Sequence, residues 1–112
     1  MNEATIVRKI LEGLRGVDQC FCWKEYIGLY STAGIPDVIV CYKGLFYGLE
    51  VKMPGKYASD LQSATINKIQ AAGGVAGVVY SWDDAQQLIF GGVGNYEKRK
   101  KAQRLLESAG ET

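Results

Sequence analysis

The run Gly34 to Lys52, GIPDVIVCYKGLFYGLEVK, limits the fold of this chain more than any other segment. Two stretches that alternate between apolar and polar positions flank Lys43-Gly44, the pattern of a β-hairpin with a two-residue loop between Tyr42 and Leu45. A four-residue loop over Tyr42 to Leu45 gives the same register, whereas a three-residue loop would shift the pairing by one. In the two-residue register Asp37 lies directly opposite Glu50, with Cβ atoms roughly 4.5 to 5.5 Å apart, where like charges repel. Glu50 and Lys52, two residues apart, project from the same face, which they share with Asp37, Ile39, Cys41, Phe46 and Gly48. Val38, Val40, Leu45, Leu49 and Val51 point the other way. Three charged side chains therefore meet at the open end of the hairpin.

The simplest use of such a trio is an ion pair between Lys52 and one carboxylate at a sheet edge, the other carboxylate being solvated. The alternative is a metal site, because two carboxylates this close suit Mg²⁺, a hard ion that takes oxygen ligands and keeps several waters. A lysine beside it supplies positive charge for a water nucleophile or a developing oxyanion. Composition narrows the chemistry further, since the chain contains no histidine. A Ser-His or Cys-His nucleophile pair, His-ligated zinc and an imidazole base are all excluded. Hydrolysis would have to run on carboxylates, lysine, tyrosine or a hard metal ion.

The remaining sequence supplies a scaffold. Asn2 is placed to cap a helix over residues 3 to 15, with Ile6, Val7, Ile10, Leu11 and Leu14 at helical spacing and Gly16 as the stop. Cys20 to Ile27 reads as a first strand and Gly28 to Ile35 as a loop. After Lys52, Pro54-Gly55 breaks the chain, and Ser59 starts a helix that ends at Gly73-Gly74. Val75 to Ser81 reads as a short buried strand, and Asp83 or Asp84 as the cap of a helix reaching about Phe90. Residues 95 to 109 read as a basic helix. The order is α-β-β-β-α-β-α with a C-terminal helix, which predicts an α/β architecture with a mixed sheet covered by helices.

At 112 residues one domain is expected: a core over residues 1–94 and a C-terminal helical extension over 95–112. The three cysteines, Cys20, Cys22 and Cys41, match neither a zinc knuckle nor a disulfide framework and read as reduced, buried side chains. No run is long and apolar enough to span a bilayer, and the N-terminus lacks a signal-peptide layout, so a soluble intracellular protein is expected. The net charge of +1 is uninformative. Its distribution is not: Lys98, Arg99, Lys100, Lys101 and Arg104 cluster near the C-terminus, either as a phosphate-contacting patch or as an ordinary solvated helix face.

Gly34-Ile35-Pro36-Asp37, followed on the next strand by Glu50-Val51-Lys52, resembles the PD-(D/E)xK signature of restriction-endonuclease-like nucleases, in the form found in VRR-NUC domains. The resemblance extends over most of the chain, from Asn2-Glu3-Ala4 through Val51-Lys52-Met53-Pro54-Gly55-Lys56 and Leu61-Gln62 to Ser81-Trp82-Asp83-Asp84. A Pro-Asp and a later Glu-x-Lys are weak alone; the ordered set is far more specific.

The resemblance implies that Asp37 and Glu50 ligate Mg²⁺, with Mn²⁺ as a substitute, that the Val51 backbone carbonyl completes the sphere, and that Lys52 orients or activates the attacking water. For an acid on the first helix there are two candidates. Glu3 shares the face of Ile6, Val7 and Ile10 and is preferred, as a ligand directly or through water, although it also suits a helix first turn; Glu12 sits with Arg8 and Arg15 on the outer face. Gln62 is placed near the metal by the resemblance, yet Ser59-Asp60-Leu61-Gln62 is equally a capping box. Ser31, Lys56 and Tyr57 are candidate DNA contacts, or simply exposed loop residues. The implied activity is a metal-dependent endonuclease acting on branched or duplex DNA, with Holliday junction resolution by a homodimer as the leading form and a bacterial or phage-infected cytoplasm as its setting. A flap, nick or 5′-end nuclease, or a non-catalytic DNA-binding accessory module, are the alternatives. So small a domain is expected to read DNA shape and backbone.

Overall fold

The computed structural model describes residues 1–26 and 32–91 of the chain. Helix α1 (Glu3–Arg15) is capped by Asn2, whose Oδ1 accepts from the Thr5 amide at 2.9 Å. Strands β1 (Cys20–Lys24), β2 (Val38–Tyr42) and β3 (Leu45–Val51) follow, then α2 (Asp60–Ala71), β4 (Val75–Val79) and α3 (Trp82–Ile89). The sheet order is β1-β2-β3-β4, antiparallel as far as β3 and parallel between β3 and β4. The predicted α-β-β-β-α-β-α order and mixed sheet are thus present. The expected C-terminal helix, with Lys98, Arg99, Lys100, Lys101 and Arg104, lies outside the described residues, as does Ser31.

Lys43 and Gly44 have φ of 51° and 79°, the paired positive values of a type I′ turn, whose twist matches that of the strands. The resulting register runs from Tyr42↔Leu45 to Val38↔Leu49, the one inferred from a two-residue loop. Period-2 alternation then sorts the side chains. Val38, Val40, Tyr47, Leu49 and Val51 enter one core with Ile6, Ile10 and Leu14 of α1 and Ala85 and Ile89 of α3. On the opposite face α2 packs on β3 and β4.

That second contact is close because Gly48 has no side chain. A Cβ there would lie 2.9 Å from Pro36 and 3.1 Å from Ile69 of α2. Gly34 serves the same end, since its φ of +82° is the left-handed region and a Cβ would stand 2.8 Å from Thr65 Oγ1 and 2.9 Å from Leu61. The two glycines let the segment before β2 settle between β3 and α2, with Pro36 buried.

Four expectations need correction. β1 ends at Lys24 instead of Ile27, because its partner strand begins at Val38 and the Glu25 amide turns to the Asp37 carbonyl at 2.8 Å. β4 ends at Val79 instead of Ser81, because Ser81 caps α3: its Oγ accepts from the Asp84 amide at 3.1 Å. Neither Asp83 nor Asp84 is the cap. Asp84 instead accepts from the Tyr80 amide at 2.9 Å, sealing the start of the helix from the other side. Finally, Cys20 and Cys22 are half-buried and Cys41 is exposed; all three are free thiols. Among the described residues no helix is long and apolar enough to cross a membrane.

Candidate active site

One step beyond Val38↔Leu49, the hairpin register brings Asp37 across from Glu50. Asp37 Oδ2 accepts the Val51 amide at 2.8 Å, so the carboxylate is pinned to the strand that carries its counterpart. Glu50 is only 2% exposed. Its Oε1 accepts from Gln62 Nε2 at 2.8 Å and lies 3.8 Å from Lys52 Nζ, while Oε2 is buried with no hydrogen-bond partner. Burial pushes the Glu50 carboxyl up to about 8; the neighbouring Asp37 adds to the rise, Lys52 opposes it, and the Glu3 charge contributes weakly. A buried oxygen left unpaired is costly, and a cation bound between Glu50 and Asp37 would displace the Glu50 proton and give Oε2 a partner.

Gln62 reconciles two roles that its sequence position left open. The Ser59 Oγ accepts the Gln62 amide at 3.2 Å and Gln62 Oε1 accepts the Ser59 amide at 2.8 Å, a complete capping box. With its oxygen engaged by the helix start, the side-chain NH₂ is turned to Glu50. One amide thus caps α2 and fixes the buried carboxylate.

The other candidates are placed less closely. Glu3 is exposed and reaches the site through its charge, whereas Glu12 pairs with Arg8 at 3.3 Å on the outer face. Lys56 and Tyr57 are exposed beyond β3, where the Lys56 carbonyl accepts the Tyr80 hydroxyl at 3.0 Å. Among the described residues no three His, Cys, Asp or Glu side chains form a ready metal cluster. Two carboxylates, one with an orphaned oxygen, nevertheless fit a hard divalent ion that keeps part of its water shell. The site sits at the carboxyl end of the parallel pair, where β3 ends at Val51 and β4 at Val79.

The architecture around this site matches two solved structures. One, titled "VRR_NUC domain protein", superposes with a TM-score of 0.63 over 80% of this chain and 85% of that one, at 19% identity. The other, titled "VRR_NUC domain", gives 0.65 over 78% of this chain and 92% of that one, at 20% identity. This chain has the VRR_NUC fold. No family model matches the sequence, and no curated protein is significantly similar to it. The VRR_NUC likeness is therefore one of architecture.

Within this VRR_NUC fold, sequence reading missed Glu25 and Tyr26, which it assigned to a continuing strand. They instead line a cleft that also touches Asp37 and Gln62. Pro36 is the signal that would have ended the strand earlier, because in this register it falls opposite Tyr26 and has no N–H to extend the ladder.

Proposed function

We infer that this chain is a metal-dependent, structure-selective DNA endonuclease that hydrolyses phosphodiester bonds, acting as a homodimer on four-way junctions. The observation that supports it above others is the carboxyl pair of buried Glu50 and half-buried Asp37, with Glu50 Oε2 unpartnered and Lys52 beside it. Asp37, Glu50 and the Val51 carbonyl would hold Mg²⁺ or Mn²⁺, and Glu3 would reach it through water. Such an ion supplies Lewis acidity and a bound water far more acidic than bulk water. Lys52 would orient the attacking water and stabilise the charge that builds on the phosphoryl oxygens during in-line attack. Gln62 keeps Glu50 from swinging away, and the Val51 amide does the same for Asp37. Lys56 and Tyr57, exposed just past β3, and Ser31 would contact the cut strand. The basic residues at 98 to 101 and Arg104 add sequence-independent attraction to phosphates.

The test offers labelled four-way junctions, flaps and linear duplexes to the purified protein with Mg²⁺, Mn²⁺ or EDTA, beside Asp37→Ala. Paired, metal-dependent cuts in the junction, abolished in the variant, are expected. Undiminished cutting by Asp37→Ala would remove the metal site from the reading. Binding without cleavage under either metal would make the chain an accessory module.

A further inference from the structure

Beside the carboxylate pair lies a cavity of about 290 Å³, at the lower limit of small-ligand pockets, which run from about 300 Å³ upward. Asp37 and Gln62 belong to its wall, so it opens directly onto the proposed reaction centre. Ile35, Leu61 and Tyr26 give it apolar surface, and Glu25 gives it a hydrogen-bond acceptor. Two of these are unusual for an intramolecular core: Leu61 is 53% and Tyr26 75% exposed. Lys24 Nζ sits 4.9 Å from the Tyr26 ring centroid, a cation over the ring. Glu25 is fixed as well, because the Trp23 indole N–H donates to its Oε2 at 2.9 Å, and among the described residues Oε1 has no such bond.

We propose that this cavity receives one unpaired nucleobase of the strand being cut, stacked on Tyr26 and Leu61 with its Watson–Crick edge donating to Glu25. The inference rests on the nuclease reading and adds a substrate requirement to it. Size and continuity favour a single base attached to a phosphate at Asp37. Charge favours a base over a phosphate, because the wall holds two carboxylates and, among the described residues, no lysine or arginine. Each of the four bases carries an N–H donor on its Watson–Crick edge, and pairing in a duplex occupies it. A carboxylate here therefore selects unpaired nucleotides without selecting sequence, as enzymes that act on extruded bases do by stacking and edge contacts. Junction centres, flaps and nicks supply such nucleotides at low cost; intact duplex does not.

The experiment measures binding of fluorescent single-stranded hexamers to the whole protein in EDTA, comparing a normal strand with one whose six sugars all lack bases. The base-bearing strand should bind about tenfold or more tightly, from stacking alone. Leu61→Ala and Tyr26→Ala, both exposed positions whose folding is checked by circular dichroism, should shrink that ratio while leaving the affinity for the abasic strand unchanged. Equal affinity of the two strands, a ratio that survives both substitutions, or no measurable binding of the normal strand would overturn the pocket. Cleavage with Mg²⁺ is read separately. A base preference in a protein that cuts no DNA would support the pocket and refute the nuclease, whereas normal cleavage without base preference would refute the pocket alone.

Discussion

Between pH 4.5 and about 8 the folded, metal-free protein holds a proton on Glu50 that the unfolded chain releases. Fewer protons bound in the unfolded state means that stability falls as pH rises through this window, by at most about 1.4 kcal/mol per pH unit. It is fully present below the unfolded value and lost above the folded one. Urea unfolding in EDTA from pH 5.5 to 8.5 should show this decline, and Glu50→Gln, which cannot ionise, should flatten it. Mg²⁺ competes with the same proton, so it should stabilise the wild type more at pH 8 than at pH 6 and leave Glu50→Gln nearly unaffected. Gln62→Ala should lower metal-dependent cleavage by about 10- to 100-fold, the range for groups that hold a metal ligand in place. It should cost about 1 kcal/mol through the lost cap, whereas Ser59→Ala should cost as much with a smaller effect on cleavage. Asp37, Glu50 and Lys52 were legible in the sequence because period 2 and a two-residue turn fix which residues face one another. The double use of Gln62 was not, because it depends on how close α2 lies to β3.

That closeness belongs to the elements, and two glycines of the hairpin separate its causes. Gly48→Ala would drive a methyl into Pro36 and Ile69. It should cost about 1 to 3 kcal/mol in urea unfolding, and it should also lower cleavage, because Pro36 precedes Asp37. Gly44→Ala meets no atom within 4 Å. Its cost should be about 1 kcal/mol, from the positive φ alone, with cleavage unchanged. Equal losses of activity in the two variants would show that packing of α2 against β3 does not position the carboxylates. Most of the fold was readable at this scale. The heptad-like spacing of Ile6, Val7, Ile10, Leu11 and Leu14, the capping box at Ser59 and the apolar run at Val75 each point to one element. Strand ends were not readable, because a strand stops where its partner stops. β1 ends at Lys24 for that reason, and β4 ends at Val79 because Ser81 turns to cap α3.

At the scale of the whole molecule, α2 covers only the β3–β4 half of its face of the sheet. The other half carries Phe21, 68% exposed, and Trp23, 41% exposed, with ring centroids 5.5 Å apart, and Phe46 and Cys41 are exposed on the adjoining strands. β1 is also the outer strand of the sheet among the described residues. Aromatic side chains at an open strand are an aggregation hazard unless something covers them. A second copy related by a two-fold axis would cover both strips at once and would give two active sites for the two strands of a junction, as the proposed function asks. Sedimentation should therefore find a dimer at micromolar concentration. Phe21→Asp together with Phe46→Asp should yield a folded monomer, since neither ring belongs to the buried core. The monomer should still nick a flap or single strand while losing paired cuts in a four-way junction, because each site keeps its own Asp37, Glu50 and Lys52. A dimer that survives both substitutions would move the interface elsewhere, and a wild-type monomer that makes paired cuts would show that two independent encounters suffice.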